Sequence, residues 1–250
     1  LTGSGTATKV AGGFLINGRK VFSSGAPTAD LLMTSAVYND PQAGTQVLHF
    51  GIPMKAAGVK LIDTWRVLGM RGTGSCDIEL KDVFVAEAAI GGRRPQGKWH
   101  PLFHTIAMIA FPLIYSSYVG VAEAAREKVV RLLSARPADH DTVRLMGRID
   151  TDLALARLAL NDMIATAETE QPGPATTNRS MTNRALAARG VLATVELALE
   201  AAGGAGFYRS TGLERLFRDA QAARYHPLRD SAQQLYAGRS ALGLDIDSLN

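Results

Sequence analysis

Residues 12–32 read GGFLINGRKVFSSGAPTADLL. Two short strand-like runs, Phe14–Ile16 and Lys20–Phe22, flank Asn17–Gly18 in this stretch. Asn-Gly between such runs is the strongest short-range signal of a β-hairpin, because both residues tolerate a positive φ. Gly12–Gly13 marks another turn just before the first run. The stretch therefore predicts antiparallel β structure near the start of the chain.

The strand-like pattern continues to about residue 85. A phase break at Lys81–Asp82, inside the last apolar run, predicts a β-bulge. About six strands at this spacing are typical of a small barrel or sandwich. The further candidate strands are Leu31–Tyr38, which reads as buried, Gln46–Ile52, Val59–Asp63 and Cys76–Val85.

The pattern becomes helical after residue 95. Gly91–Lys98 (GGRRPQGK) predicts a linker, and the Pro and Gly residues of Gln171–Asn178 predict a break between two helices. Four long helices are predicted, over Leu102–Ala135, Thr142–Glu168, Arg184–Ala202 and Gly212 to about Leu242. The predicted fold class is α+β multidomain, with a small antiparallel β-barrel or sandwich domain over residues 1–95 and an antiparallel four-helix bundle over residues 96–250.

Charge and cysteine content exclude several classes of protein. The 250 residues carry a formal net charge of +4 with no run of five basic residues, whereas nucleic-acid-binding proteins usually cluster their basic residues. The single cysteine, Cys76, cannot form an internal disulfide, which fits a reducing cytoplasm.

The apolar run Ile106–Ala122 contains Pro112 and predicts a buried core helix rather than a membrane span. We therefore expect a cytoplasmic protein that binds neither nucleic acid nor membrane.

Two further observations concern metals and the chain's extent. His100 and His104 are four residues apart but lack the glutamate of a zinc-protease helix, so no metal site is predicted. The chain begins at Leu1 rather than Met, and we expect it to be a fragment of a longer protein.

Two glycine- or serine-containing segments in the first part of the chain suit a ligand. Phe22, Ser23 and Ser24 offer a flat apolar face beside two hydroxyls, which suits a planar heteroaromatic ligand, although such a strand end is usually only a turn. Asp63–Ser75 (DTWRVLGMRGTGS) contains three glycines that permit close backbone approach to a ligand.

Two segments in the helical part have both structural and functional interpretations. Gly203 and Gly204 either cap a helix or let backbone amides reach a phosphate. Arg218 and Asp219 fit an ion-paired surface as well as a site. His226 precedes a proline and is expected at a helix kink or end.

Taken jointly, four segments resemble the acyl-CoA dehydrogenase superfamily. They are GGFLINGRKVFSSGAPTADLL, DTWRVLGMRGTGSCDIELKDVFV, AAGGAG and LERLFRDAQA, in this order and spacing. The resemblance runs from about Thr6 to about Leu242 and covers the family's middle β-domain and C-terminal four-helix domain. The family's N-terminal helical domain has no counterpart in the chain.

The resemblance implies a flavin, normally FAD. It places Phe22, Ser23 and Ser24 against the flavin ring, with Ser24 as the partner of flavin N5. It also implies that Gly203 and Gly204 approach the dinucleotide across a subunit interface, and that the protein assembles as a homodimer or homotetramer.

The chain departs from the dehydrogenases of this superfamily at the catalytic base. No glutamate follows Arg215, and Ala110 and Phe111 stand where the other known location of the base would be. A related branch, which uses reduced flavin and oxygen, has a Phe-x-Ser-Gly segment and a later histidine. Phe22 to Gly25 and His226 fit that pattern, and His226 titrates close enough to neutral pH to move a proton in either direction.

Three hypotheses follow. The first is an FAD-dependent, acyl-CoA dehydrogenase-like oxidoreductase that acts on an acyl-CoA, with an electron-transfer flavoprotein as partner. The second is a monooxygenase of aromatic or heteroatom compounds that uses Ser24 and His226, with reduced FMN or FAD supplied by a partner flavin reductase. The third is a non-catalytic paralogue that serves as a structural subunit.

Overall fold

The computed structural model describes residues 3–135, 137, 139–226 and 228–247. The chain divides into two compact units. The first, called the β unit here, runs to Val67 and resumes with Arg71–Trp99; the second, the helical unit, takes Leu68–Met70 and the chain from His100 onward. The fold is α+β, as predicted.

The β unit contains a seven-stranded sheet with the order β5-β6-β2-β1-β3-β4-β7. Five of its strand pairs are antiparallel, but β1 and β3 pair in parallel, so the sheet is mixed and the purely antiparallel prediction is wrong. The strands are β1 (Thr6–Val10), β2 (Gly13–Lys20), β3 (Leu31–Asp40), β4 (Gly44–Pro53), β5 (Val59–Ile62), β6 (Asp77–Ala86) and β7 (Ile90–Pro95).

The predicted Asn17–Gly18 hairpin is wrong. Both residues lie inside β2. The other turn, predicted at Gly12–Gly13, is confirmed: it joins β1 to β2, and Gly12 has φ +76°. Gly18 is needed for a different reason, because a Cβ there would come within 2.6 Å of Gly5 Cα. The Asn17 side chain forms two hydrogen bonds with Asp82. Its amide nitrogen donates to the Asp82 carboxylate, and its amide oxygen accepts the Asp82 backbone N–H, both at 2.9 Å.

The bulge predicted at Lys81–Asp82 is confirmed. Ile16 and Gly18 on β2 face Val83 and Leu80 on β6, so β6 has one extra residue there, and Asp82 has φ +49°. The extra residue keeps the apolar side chains on both sides of the break directed into the core.

Two other strand predictions need correction. Gly91–Pro95 was predicted as linker but belongs to β7, because the backbone pairs with β4 and Arg94 is buried against His49. β3 confirms the strand predicted over Leu31–Tyr38, but only Ala36 in it is fully buried.

Within the described part of the helical unit there are three long α-helices and two short ones: α1 (Pro101–Leu133), α2 (His140–Thr169), α3 (Pro174–Ala202), α4 (Leu213–Ala220) and α5 (Asp230–Ala241). The single long helix predicted from Gly212 to Leu242 is wrong, because the chain turns through a 3₁₀ segment at Gln221–Arg224 between α4 and α5. The predicted break over Gln171–Asn178 is shorter than expected, since Pro174 is the first residue of α3, where its missing N–H costs nothing.

Helix α1 is long and apolar enough to cross a membrane by length and composition alone. However, 44% of its most apolar window is buried within the structure, and buried residues recur along the helix from His104 to Leu133. This burial favours the predicted core helix.

Candidate functional site

An open cleft of about 500 Å³ lies in the β unit at the end of β2. Phe22, Ser23 and Ser24 all line it, so the structure brings these three predicted site residues together. The apolar side chains of Leu31 and Met33 from β3 form another part of the lining and are themselves exposed. The cleft thus combines apolar surface with hydroxyl groups.

Phe22 has an unusual conformation for a residue other than glycine. Its φ is +54°, in the left-handed region, and its side chain is 72% exposed. Its ring makes an edge-to-face contact with Trp65, with centroids 6.0 Å apart. The following N–H groups of Ser23 and Gly25 donate to Cys76 and Thr73 carbonyls, which holds the turn in place. A strained, exposed aromatic residue at a cleft is a common mark of a ligand-binding position.

The Ser24 hydroxyl belongs to a chain of three hydroxyls. Ser24 Oγ lies 2.9 Å from Ser75 Oγ, which lies 2.7 Å from Thr73 Oγ1. Ser75 is buried while Ser24 is exposed, so the chain runs from the protein interior to the surface. Sequence reasoning missed Ser75 and Thr73 as members of this site, although both stand in the glycine-rich segment Asp63–Ser75.

Lys20 was also missed. Lys20 lines the cleft although the residue is only 5% exposed, and its ammonium group donates to the carbonyls of Ser4 and Ser35 and to Ser4 Oγ. Burial lowers the pKa of Lys20 to about 8. A largely buried ammonium group therefore belongs to a residue that lines the cleft.

His226 lies in the helical unit, just after the 3₁₀ segment that follows α4, which agrees with the helix end expected there; Pro227 is outside the described residues. Its Nδ1 is 2.5 Å from Tyr118 Oη, and the two rings are edge to face with centroids 5.5 Å apart. Burial is the main cause that lowers the pKa of His226, and the Arg184 charge lowers it as well, whereas the Ala222 backbone carbonyl, which accepts a hydrogen bond from the ring, raises it. His226 is therefore neutral at neutral pH.

Arg184 holds the backbone around His226. It is fully buried, and its guanidinium donates to the carbonyls of Ala223 at 2.9 Å and His226 at 3.0 Å and to Asp230 at 2.8 Å. The guanidinium also lies over the Tyr115 ring, 5.4 Å from its centroid. This buried network, which the sequence did not reveal, sets where His226 sits.

Gly203 and Gly204 follow α3, in the same unit as His226. Gly203 caps the helix with φ +58°, as the capping interpretation predicted. A Cβ at either glycine would meet no atom of the described residues within 4 Å, so the backbone is open to approach. Gly203 also lines a second cleft of about 600 Å³ with the exposed ring of Phe207 and the side chain of Arg209.

Part of the glycine-rich segment Asp63–Ser75, namely Leu68–Met70, belongs to the helical unit. Met70 N–H donates to Asp219 Oδ1 at 2.6 Å, and Arg218 donates to the Leu68 carbonyl at 2.9 Å. A Cβ on Gly69 would come 2.1 Å from the Arg218 carbonyl oxygen. Gly69 thus permits approach to the protein backbone rather than to a ligand, and Arg218 and Asp219 are structural anchors.

Comparison with known proteins identifies the family. The model of the acyl-CoA dehydrogenase middle domain matches residues 2–83, and that of the acyl-CoA dehydrogenase C-terminal domain matches residues 113–230. The chain belongs to the acyl-CoA dehydrogenase superfamily. The resemblance stated from the four sequence segments is thereby confirmed.

Curated proteins that are similar to this chain carry different names. YdbM of Bacillus subtilis, which has an acyl-CoA dehydrogenase name, is 26% identical over 90% of this chain and 60% of its own length. Pigment production hydroxylase of a Rhodococcus species is 25% identical over 90% of this chain and 64% of its own length. The chain thus spans about 60% of the length of the curated relatives that it matches.

A solved structure shares the fold of this chain. The structure of KijD3 in complex with FMN and dTDP-3-amino-2,3,6-trideoxy-4-keto-3-methyl-D-glucose superposes with a TM-score of 0.90 at 25% identity. The match covers 98% of this chain and 64% of KijD3.

The described residues fit the flavin that superfamily membership implies. In the β unit, an exposed aromatic face beside the Ser24 hydroxyl matches a planar heteroaromatic ring with polar ring atoms. In the helical unit, the open backbone at Gly203 and Gly204 matches a group that must come close to main-chain amides. Among the described residues there is no group of three or more His, Cys, Asp or Glu side chains that could hold a metal ion.

Proposed function

We propose that this chain forms part of a monooxygenase of the acyl-CoA dehydrogenase superfamily that uses reduced flavin and oxygen. The observation that carries the proposal is His226, a neutral, half-buried imidazole bonded to Tyr118, in the region where the dehydrogenases have a glutamate. No glutamate follows Arg215, so the carboxylate that removes the α-proton of an acyl thioester has no counterpart there. The hydroxylase among the relatives supports the same branch.

In this proposal the β unit binds the flavin ring. Phe22 offers its exposed face, Ser23 and Ser24 offer hydroxyl groups, and Ser24 is the hydrogen-bond partner of flavin N5. When bound in reduced form, a flavin supplies two electrons, so that one atom of O₂ enters the substrate and the other leaves as water. Leu31 and Met33 add apolar surface to the same cleft, against which a flavin ring can pack.

The helical unit contributes Gly203, Gly204 and His226. The two glycines let backbone amides approach the flavin phosphates, and His226 moves a proton to or from the substrate side. The substrate class is an aromatic or heteroatom compound, and FMN or FAD is supplied reduced by a flavin reductase.

We propose that α4 and α5 together act as the fourth member of a four-helix bundle and that the β-domain is barrel-like. We also propose that the protein is a cytoplasmic homodimer or homotetramer.

Anaerobic flavin binding tests this proposal. Purified protein is titrated with oxidised and with reduced FMN and FAD, and the oxidised complex is then mixed with acyl-CoAs of several chain lengths. We expect tighter binding of reduced flavin and no bleaching by any acyl-CoA. Bleaching by an acyl-CoA would instead establish the dehydrogenase reaction, and failure to bind flavin in either redox state would favour the non-catalytic subunit.

A further inference from the structure

The contact between Tyr118 and His226 has a consequence for the direction of proton transfer. We propose that Tyr118 is a positioning residue that holds His226 as the Nε2–H tautomer, so that His226 presents a hydrogen-bond donor to the site. The significance of this donor rests on the proposed function, whereas the tautomer is a property of this chain alone.

A single proton lies between Tyr118 Oη and His226 Nδ1, and it belongs either to the tyrosine or to the imidazole. A neutral imidazole carries a single N–H, on either Nδ1 or Nε2. With Tyr118 Oη 2.5 Å from His226 Nδ1, either the tyrosine donates to Nδ1 or Nδ1–H donates to the tyrosine oxygen. The first arrangement puts the imidazole proton on Nε2, and the second leaves Nε2 as a base.

The surroundings of Tyr118 favour the first arrangement. The Tyr118 side chain is 0% exposed, and among the residues that the structure describes its hydroxyl has one acceptor, His226 Nδ1. The neighbouring Tyr115 hydroxyl is engaged with the Ala223 carbonyl at 3.2 Å. If Nδ1 carried the proton, the Tyr118 O–H would be buried with no acceptor, which carries a desolvation penalty that the other arrangement avoids.

The charges around the pair keep both groups neutral. Burial raises the pKa of Tyr118, so its hydroxyl stays protonated. Arg184 of α3, paired with Asp230 of α5, faces the pair and lowers the pKa of His226, while Tyr115 of α1 is neutral because burial raises its pKa to about 12. An imidazolium, which would force an N–H toward Tyr118, is therefore disfavoured.

The backbone around His226 is held as firmly as its ring. Arg184 donates to the His226 carbonyl at 3.0 Å, which fixes the backbone of His226. The ring could then leave Tyr118 only by rotation about the side-chain bonds of His226. His226 is half-buried, and besides Tyr118 the Ala222 backbone carbonyl also acts on its ring, as an acceptor. With Nδ1 taken by Tyr118, Nε2–H is the group that His226 offers to a substrate or flavin oxygen, so of the two directions of proton transfer this tautomer favours donation.

The tautomer is measured by long-range ¹H–¹⁵N spectra of the histidine-labelled protein at neutral pH. The His226 signals are identified by their loss in His226→Asn. We expect Nδ1 to resonate as an unprotonated nitrogen and Nε2 as a protonated one. The opposite pattern would overturn the proposal, and this reading of the unmodified protein needs no variant that might misfold.

Two variants test whether Tyr118 is the cause. In Tyr118→Phe we expect the two His226 tautomers to mix, which moves both nitrogen shifts toward each other. Tyr115→Phe is the matched control, because it removes a neighbouring buried hydroxyl that does not contact His226, and its His226 spectrum should stay unchanged. An unaltered tautomer in Tyr118→Phe would contradict the assignment. Because no flavin is present, these outcomes stand whether or not reduced flavin binds.

Discussion

Ser24 and Ser75 are 51 residues apart in sequence, yet their hydroxyl oxygens lie 2.9 Å from each other. Ser75 is 4% exposed and also bonds the Thr73 hydroxyl at 2.7 Å. A buried hydroxyl with two partners has a defined orientation, whereas an exposed serine rotates freely. Ser75 therefore sets the direction in which Ser24 points at the edge of the cleft.

Ser75→Ala should weaken the binding of reduced flavin. The change removes the partner that orients Ser24, and a net loss of about 1 kcal/mol corresponds to a roughly five-fold higher Kd. Anaerobic fluorescence titration measures this value. Thr28→Ala is the matched control, since Thr28 donates to the Gly25 carbonyl in the same turn but does not line the cleft. Equal affinities of Ser75→Ala and the parent protein would show that Ser24 needs no such support.

Gly69→Ala and Gly72→Ala should differ sharply although they are three residues apart. A Cβ at Gly69 would come 2.1 Å from the Arg218 carbonyl oxygen, while one at Gly72 would meet no described atom within 4 Å. We expect Gly69→Ala to lower the free energy of unfolding by about 2 kcal/mol or more, and Gly72→Ala to change it by less than about 0.5 kcal/mol. Urea denaturation followed by circular dichroism gives both values, and similar losses in the two variants would refute the close approach.

Asp219→Ala should destabilise the helical unit. Its carboxylate accepts the Met70 N–H at 2.6 Å, and the substitution removes this hydrogen bond to a partly buried donor, at a cost of about 1–3 kcal/mol. Asp219→Asn keeps an acceptor oxygen and should lose less. Thermal and urea unfolding of both variants provide the test; if Asn were as damaging as Ala, charge rather than the hydrogen bond would be the essential property.

Lys20 should make stability depend on alkaline pH. Because burial lowers its pKa from 10.5 to about 8, the unfolded chain binds more protons than the folded one between these values. The free energy of unfolding contributed by Lys20 therefore rises as the pH increases from about 8 towards 10.5, and is constant below this window. Urea unfolding at several pH values, with Lys20→Met as reference, isolates this contribution. A difference between the two proteins that does not change with pH would argue against the shift.

The local sequence was a good guide wherever neighbouring residues decide the structure. Alternation of apolar residues predicted β4, β5 and β6, and the phase break at Lys81–Asp82 predicted the bulge, because burial on one face forces that pattern. Helical spacing predicted α1, α2 and α3 for the same reason. Ser23 and Ser24 follow a strand as predicted, whereas Phe22, which was predicted as the last residue of the strand, lies just beyond the end of β2 at Lys20.

Predictions from neighbouring residues were wrong where a residue distant in the sequence determines the local structure. Asn17–Gly18 has the composition of a turn, but Asp82 and Gly5 hold it inside β2. Gly91–Pro95 has no apolar alternation, yet β4 supplies the backbone hydrogen bonds that make it a strand. The break between α4 and α5 likewise lies at Ala223 and His226, whose carbonyls Arg184 binds.

The sequence by itself determined the family, the α+β class and the residue types available for chemistry, since these depend on the order and spacing of short segments. Only the tertiary structure decided how those residues are oriented. Tyr118 and His226 are 108 residues apart, and Ser24 and Ser75 are 51 apart. The state of a hydroxyl or an imidazole depends on the partner brought to it through space, and no periodicity along the chain records that partner.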